Sequence, residues 1–518
     1  MTTPSTGNDR TLDDRFAYDR IMVDDRSRSV DVLIVGAGIS GLSAAWHLRR
    51  YHPSLTVSIV ERRHRIGGTW DLFRYPGIRS DSDMETFGFS FRPWQGTDSI
   101  AQGADIQAYL ERTAAEFELD DLIEFGRSVT AAEFVSDEAR WLIDVECEDG
   151  TSERWSASWL WMCSGYYRYD RGHSPDIEGL DAFAGTVIHP QHWPDGFDPT
   201  GRRIVVIGSG ATAFTLVPAL AERASRVTML QRSPTFVASV PRVNRINSWL
   251  RRFLPSRFGA AVARWRNALT SSWWFRLTRR HPERVRRLLL GRVQRELPAG
   301  VGVEPHFSPR YDPWDQRICA VPDGDFFAAM RAGTVEVVTD RVSLLTRDGV
   351  ALASGRTLDC DTIVTATGLE IQMFGGAELR VDGRAVDPGS TVMYRGCMLS
   401  GVPNFTWTMG YVNASWTLKA DLVARYVCRV LTERAHVGAD VAVAPVPAGG
   451  IAVEVDSAFS PGYLVRAKRI MPQRGLEQPW RLAEDYLLDR LMLTRGTLRD
   501  GVLRFEQRSR EFQRAVRS

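Results

Sequence analysis

The chain has 518 residues, 44% of them hydrophobic, with 65 basic against 63 acidic side chains. That length predicts two or three domains, and the near-balanced charge argues against a protein whose main task is to coat nucleic acid. Six scattered cysteines (Cys147, Cys163, Cys319, Cys360, Cys397 and Cys428) contain no CxxC pair. This speaks against a disulfide scaffold or a metal site and for a reducing, cytoplasmic setting.

The first 29 residues are polar and charged, without the apolar stretch of a secretory signal, and no later run of 18 apolar residues would span a membrane. The first strong element is a buried-strand pattern, Asp31-Val-Leu-Ile-Val-Gly36, leading into a helix expected from Ala37 to Leu48. A second strand, Val57 to Glu61, follows at βαβ distance. A mixed, loop-rich region is expected from there to about Asp144, followed by the run Trp159-Leu-Trp-Met-Cys163 and a turn at Ser164-Gly165.

The pattern restarts with a strand at Arg203–Gly208, a helix at Ala211–Arg223 and a strand at Val227–Gln231. Arginine-rich helices are expected from Ile246 to Leu297, strands at Val335–Thr339 and Asp361–Ala366, and a helix from Ala414 to Leu431. The layout implied is an α/β protein with two Rossmann-like dinucleotide-binding domains, the second inserted into the first, and a helical lobe. Expected boundaries are 1–150 for the first part of domain one, 151–375 for domain two with a helical insertion at about 242–297, and 376–518 for the return to domain one and the C-terminal region.

Gly36-Ala-Gly38-Ile-Ser-Gly41 follows a strand and opens a helix. The first glycine permits the tight turn, the second lets a pyrophosphate approach the backbone, and the third lets helix and strand pack closely. Glu61, twenty residues past Gly41, ends the next strand, where a carboxylate accepts from ribose hydroxyls. The second loop is Gly208-Ser-Gly210-Ala-Thr-Ala213. Its next strand ends in Gln231-Arg232-Ser233, with no carboxylate in the ribose position. The Arg232 fork suits a 2′-phosphate, which selects NADPH over NADH. Two loops without a CxxC pair point to a flavoenzyme, FAD on the first and NADPH on the second, with oxygen as the second substrate.

At Phe183-Ala-Gly185-Thr-Val-Ile-His189-Pro-Gln-His192-Trp193-Pro194 the sequence resembles the flavin monooxygenases of Baeyer–Villiger type, through their fingerprint FxGxxxHxxxW. The resemblance covers nearly the whole chain, including Gly67-Gly68-Thr69-Trp70, Arg74 to Asp81, Cys163-Ser-Gly165, Asp312-Pro-Trp-Asp-Gln-Arg317 and Ala366-Thr-Gly368. Within the family it is most similar to a mycobacterial ethionamide-activating subgroup.

The resemblance implies oxidation of ketones to esters or lactones through a C4a-peroxyflavin, with sulfides or thioamides as further substrates; the alternative is an N- or S-oxygenase using the same cofactors. It implies that Arg317 stabilises the anionic oxygen species and that Asp81 orients that arginine. A fixed cation that cannot give up its charge is what such an anion needs. Gly68, Thr69 and Trp70 are expected along the FAD, with Asp71 as a flavin-adjacent carboxylate. Phe183, Gly185, His189 and Trp193 are expected to couple domains rather than to catalyse. Many members carry Lys before the catalytic Arg; here Gln316 stands there, which removes one cation from the coenzyme wall. Trp407, Tyr411 and Trp416 are candidates for the active-site wall or for ordinary core. The arginine-rich lobe fits a solvated cover over a substrate tunnel, a peripheral membrane contact or a subunit contact, and these stay open.

Overall fold

The computed structural model describes residues 28–447, 449–453 and 462–507. The expectation that the first 29 residues carry no secretory signal falls almost wholly outside them. No described helix is long and apolar enough to cross a membrane.

β1 (Arg28–Val35) buries Val32, Leu33, Ile34 and Val35, the continuous apolar run of a strand covered on both faces. It is followed by α1 (Ile39–Tyr51) and β2 (Val57–Glu61). The region expected to be loop-rich is more regular. It holds two one-turn helices, α2 (Thr69–Leu72) and α3 (Met84–Phe87), then α4 (Gly103–Glu116) and strands β3 (Ile123–Phe125), β4 (Arg127–Val135), β5 (Arg140–Cys147) and β6 (Ser152–Met162). Buried Ile106, Tyr109, Leu110, Thr113 and Ala114 in α4 carry the helical period, so the pattern was present in the sequence.

β1 pairs in parallel with β2 on one side and β6 on the other, in a register that puts Val35 beside Val60 and Met162. Gly36, Glu61 and Cys163 therefore emerge together past the carboxyl ends of three adjacent strands, the side on which open α/β sheets bind ligands. β4, β5 and β6 form an antiparallel flank.

The second sheet contains β7 (Thr186–Ile188), β8 (Arg203–Ile207), β9 (Arg226–Gln231), β12 (Val335–Thr339) and β16 (Thr362–Thr365), in the order β12-β9-β8-β16-β7 and all parallel. α5 (Ala211–Ala221) connects β8 to β9. A parallel pair, β10 (Val237–Val240) and β11 (Cys319–Pro322), brackets the lobe of α6 (Arg245–Phe253), α7 (Ser256–Arg280) and α8 (Pro282–Glu296). α9 (Asp325–Arg331) leads into β12, and a meander of β13 (Val342–Thr346), β14 (Gly349–Leu352) and β15 (Thr357–Asp359) precedes β16.

The chain then returns to the first sheet. β17 (Glu378–Val381) pairs with β4 and with β18 (Arg384–Ala385), and after a short hairpin of β19 (Met393–Tyr394) and β20 (Met398–Leu399), β21 (Phe405–Trp407) pairs with β6. The second α/β unit is thus inserted into the first. α10 (Trp416–His436) packs on α1, five residues longer at its C-terminal end than the sequence pattern suggested. α11 (Gly462–Ala467) and α12 (Tyr486–Arg495) complete the described helices.

Candidate functional site

A cavity of about 330 Å³ runs from the first glycine-rich loop to the second. Gly36, Gly38, Glu61, Gly68, Thr69 and Trp70 line it on the β1–β2 side, Ala211, Thr212 and Thr215 on the α5 side, and Asp81 and Arg317 lie on the same cavity. Residues separated by almost 300 positions in the chain thus converge on one volume.

Gly36 has φ +106°, and a Cβ there would stand 2.7 Å from the Cys163 carbonyl oxygen. Only glycine lets β1 turn into α1 this close to the end of β6. A Cβ at Gly41 would fall 1.9 Å from the Gly36 carbonyl oxygen. Gly41 therefore keeps helix and strand in contact and does not itself face the cavity. Glu61 is nearly fully buried, and its carboxylate accepts from the backbone N–H of Ala37 (2.7 Å) and of Arg63 (2.9 Å). Burial nonetheless pushes its carboxyl above the ordinary value, outweighing those two donors.

Arg317 donates to the Asp81 carboxylate. The Asp81 charge holds the guanidinium firmly protonated, against the opposing effect of burial. Beside it stand Tyr166 and Tyr167, whose hydroxyls are 3.2 Å apart, and Tyr166 stacks on Trp416 at 5.4 Å. Burial pushes both phenols well up, so they stay neutral near the cation. Arg317 Nε and Ser164 Oγ, both of cavity-lining residues, are buried without a hydrogen-bond partner in the described structure. Such atoms normally find partners, and the residues that carry them line the cavity.

Asp71 corrects an expectation. Its carboxylate is buried and taken up by Arg63 (2.7 Å), Arg74 (3.0 Å) and, more distantly, Arg65 (3.9 Å), and it does not line the cavity. Trp407 is likewise core, fully buried against Phe374, whereas Tyr411 and Trp416 do line the cavity, with Trp416 Nε1 donating to Ser40 Oγ at 2.8 Å.

At the second loop Gly208 has φ +147° and Gly210 caps α5, while Ala213 is fully buried in the core of that unit. Arg232 and Ser233 are exposed just past β9, outside the cavity. Ser209 Oγ donates to the Ser233 carbonyl at 2.9 Å, which ties the loop to that strand end. None of the ion pairs among the described residues uses Arg232.

Of the fingerprint residues, Phe183 is buried in the second unit, and a Cβ at Gly185 would meet the Asp361 carbonyl oxygen at 2.5 Å. Trp193 packs at the edge of the second core, 5.4 Å from Phe197. His189 Nδ1 accepts from the Gln191 backbone N–H at 3.2 Å, and burial lowers the imidazole pKa. None of the four lines the cavity.

Gln191, inside the fingerprint, is a residue the sequence reading passed over. It is almost fully buried, and its amide donates to the carbonyls of Arg168 (2.8 Å) and Tyr169 (2.9 Å). The fingerprint is thereby fastened to the Tyr166–Tyr169 segment, which lines the cavity. The tyrosines were also missed; their signal was a position directly after the carboxyl end of β6.

A second cavity, about 410 Å³, adjoins the first through Asp81, Ser82, Ala320 and Ala414. Trp274 and Leu289 of the helical lobe and Trp314 form part of its wall.

The profile of the NAD(P)-binding Rossmann-like domain family matches residues 34–96. The chain is 48% identical over 480 residues to the FAD-containing monooxygenase EthA of Mycobacterium tuberculosis, covering 92% of this chain and 98% of that protein. It is also 48% identical to EthA of Mycolicibacterium smegmatis, over 89% of this chain and 94% of the relative. Among solved structures, a steroid monooxygenase bound to NADP superposes with a TM-score of 0.73 at 23% identity, over 92% of this chain and 100% of that one, a likeness of fold.

Proposed function

Because the chain belongs to the family of FAD-containing monooxygenases, we propose that it is an NADPH-dependent Baeyer–Villiger monooxygenase, converting ketones to esters or lactones and also oxidising soft sulfur centres. The observation that carries this reading is the Asp81–Arg317 pair on the cavity joining the two glycine-rich loops.

The residues fit FAD at the first loop. Gly36 and Gly38 would admit its pyrophosphate at the N-terminus of α1, Glu61 would accept from the adenosine ribose, and Gly68, Thr69 and Trp70 would run along it. Gly208 and Gly210 would admit the NADPH pyrophosphate, with Arg232 and Ser233 on its 2′-phosphate and no cation at Gln316 to assist. When bound and reduced, the flavin supplies the activation of molecular oxygen.

The chain's own part is position and field. Arg317, held in direction and charge by Asp81, offers a fixed cation to negative charge that develops on the transferred oxygen. The neutral phenols of Tyr166 and Tyr167 add no competing anion. Gln191 couples the fingerprint to the tyrosine segment, so the two nucleotide units keep their alignment.

The test is product analysis of the holoenzyme with NADPH against matched panels of ketones and sulfides. Esters from ketones support the reading. Sulfoxides alone, with no ester from any ketone, assign the enzyme to the N/S-oxygenases instead.

A further inference from the structure

The helical lobe carries a face that no other described part of the chain covers. In α6 one side turns inward: Asn247 is buried, and Arg251 donates to the Gly96 carbonyl (2.6 Å) and to Glu85 (2.5 Å). The other side presents Ile246, Trp249 and Phe253, which are 55%, 57% and 63% exposed. Their i, i+3, i+7 spacing puts them on one stripe. Phe258, 60% exposed, follows at the start of α7, and Leu269 and Trp273 are exposed further along it. The stripe is bordered by α12, whose Arg490 stacks 4.7 Å from the Trp265 ring centre and whose Leu488 and Leu491 are also exposed. Apolar surface this continuous marks a contact site.

The charge around it is one-sided. From Arg245 to Glu296 the sequence has fourteen arginines and two glutamates. Arg245, Arg252, Arg257, Arg284, Arg287 and Arg292 are exposed and take part in none of the ion pairs among the described residues. A second copy of the chain would bring the same cations to a two-fold contact, where they repel. A nucleic acid would satisfy the arginines and leave the leucines, isoleucine and phenylalanines in water. An anionic bilayer satisfies both sets at once, phosphates for the guanidinium groups and the headgroup–acyl boundary for the rings.

We propose that the α6–α8 lobe docks the enzyme on an anionic lipid bilayer, with Trp249, Phe253 and Phe258 entering the boundary layer. The same lobe walls the second cavity: Arg292 is both one of the exposed cations and a lining residue of the chamber that reaches Asp81. Docking therefore sets that chamber against the phase in which apolar substrates dissolve.

The experiment is sedimentation of the full-length, FAD-loaded enzyme with vesicles of phosphatidylcholine, with and without phosphatidylglycerol, at low and high salt. The expected result is binding to the anionic vesicles at least roughly tenfold stronger than to the neutral ones, released by salt. The Trp249→Ser/Phe253→Ser variant should lose that binding while keeping the flavin absorbance spectrum and turnover of a water-soluble substrate. Wild-type enzyme left in the supernatant with anionic vesicles at low salt would overturn the proposal, as would equal binding by the variant. A variant that changes native mass on a sizing column without changing vesicle binding would make the face a subunit contact instead.

Discussion

Arg279 on α7 holds Asp315 at 2.6 Å, two residues before Arg317 in the same loop. Phe275, one turn earlier, meets Trp314 edge-on at 5.6 Å. The helical lobe and the loop that carries the cation are therefore joined by a charge pair and a ring contact. A partly exposed pair of this kind contributes only about 0–1 kcal/mol to stability, so its effect should show in alignment. Arg279→Ala is expected to leave the melting temperature almost unchanged and to lower oxygen transfer roughly ten- to a hundredfold. The check is product formed per NADPH oxidised, alongside a melting curve.

Removing the cation itself should be more severe. Arg317→Ala is expected to retain FAD and to lower product formation by a factor on the order of 10²–10³. Arg317→Lys should recover only part of this, because an ammonium lacks the planar fork that Asp81 holds. Steady-state product assays on both variants, with flavin content measured from absorbance, decide it.

Coenzyme choice rests on Arg232. A charge-assisted hydrogen bond to a 2′-phosphate is worth about 1.5–3 kcal/mol, so Arg232→Ala should raise the KM for NADPH roughly ten- to a hundredfold. The KM for NADH, which has no 2′-phosphate, should hardly move. Equal losses with both coenzymes would remove Arg232 from the phosphate site.

Glu61 gives a pH signature with a definite sign. Its folded-state pKa is raised by burial, so the folded chain holds this proton more tightly than the unfolded chain. Its contribution to stability is full below the ordinary glutamate value of about 4.3 and is lost as pH rises to the raised value. Glu61→Gln should flatten the stability of the apoprotein across that window. The same variant should weaken FAD retention roughly tenfold, through loss of a charged acceptor. Urea midpoints of the flavin-free proteins as a function of pH test the first part, and flavin dissociation the second.

The glycine-rich loops, Glu61 and the strands behind them were legible because each rests on a local requirement: a turn only glycine makes, a buried apolar run, a carboxylate at a strand end. The inserted arrangement was legible from the restart of the βαβ pattern at Arg203. Proximity in sequence to the Gly67–Trp70 loop says nothing of which face the Asp71 carboxylate takes; Arg63, Arg65 and Arg74 claim it. Tyr166, Tyr167 and Gln191 escaped because their roles depend on β6, β7 and the fingerprint meeting in space. α4 and the β4–β5 pair were passed over although their periodic patterns stand in the sequence.

Turnover of the holoenzyme with NADPH, a cyclic ketone and isotopically labelled oxygen gas tests ketone oxygenation at the Arg317 site. The expected product is a lactone carrying one labelled oxygen atom, formed in step with NADPH oxidation. NADPH consumed with hydrogen peroxide as the only oxygen product, for every ketone tried, would contradict it.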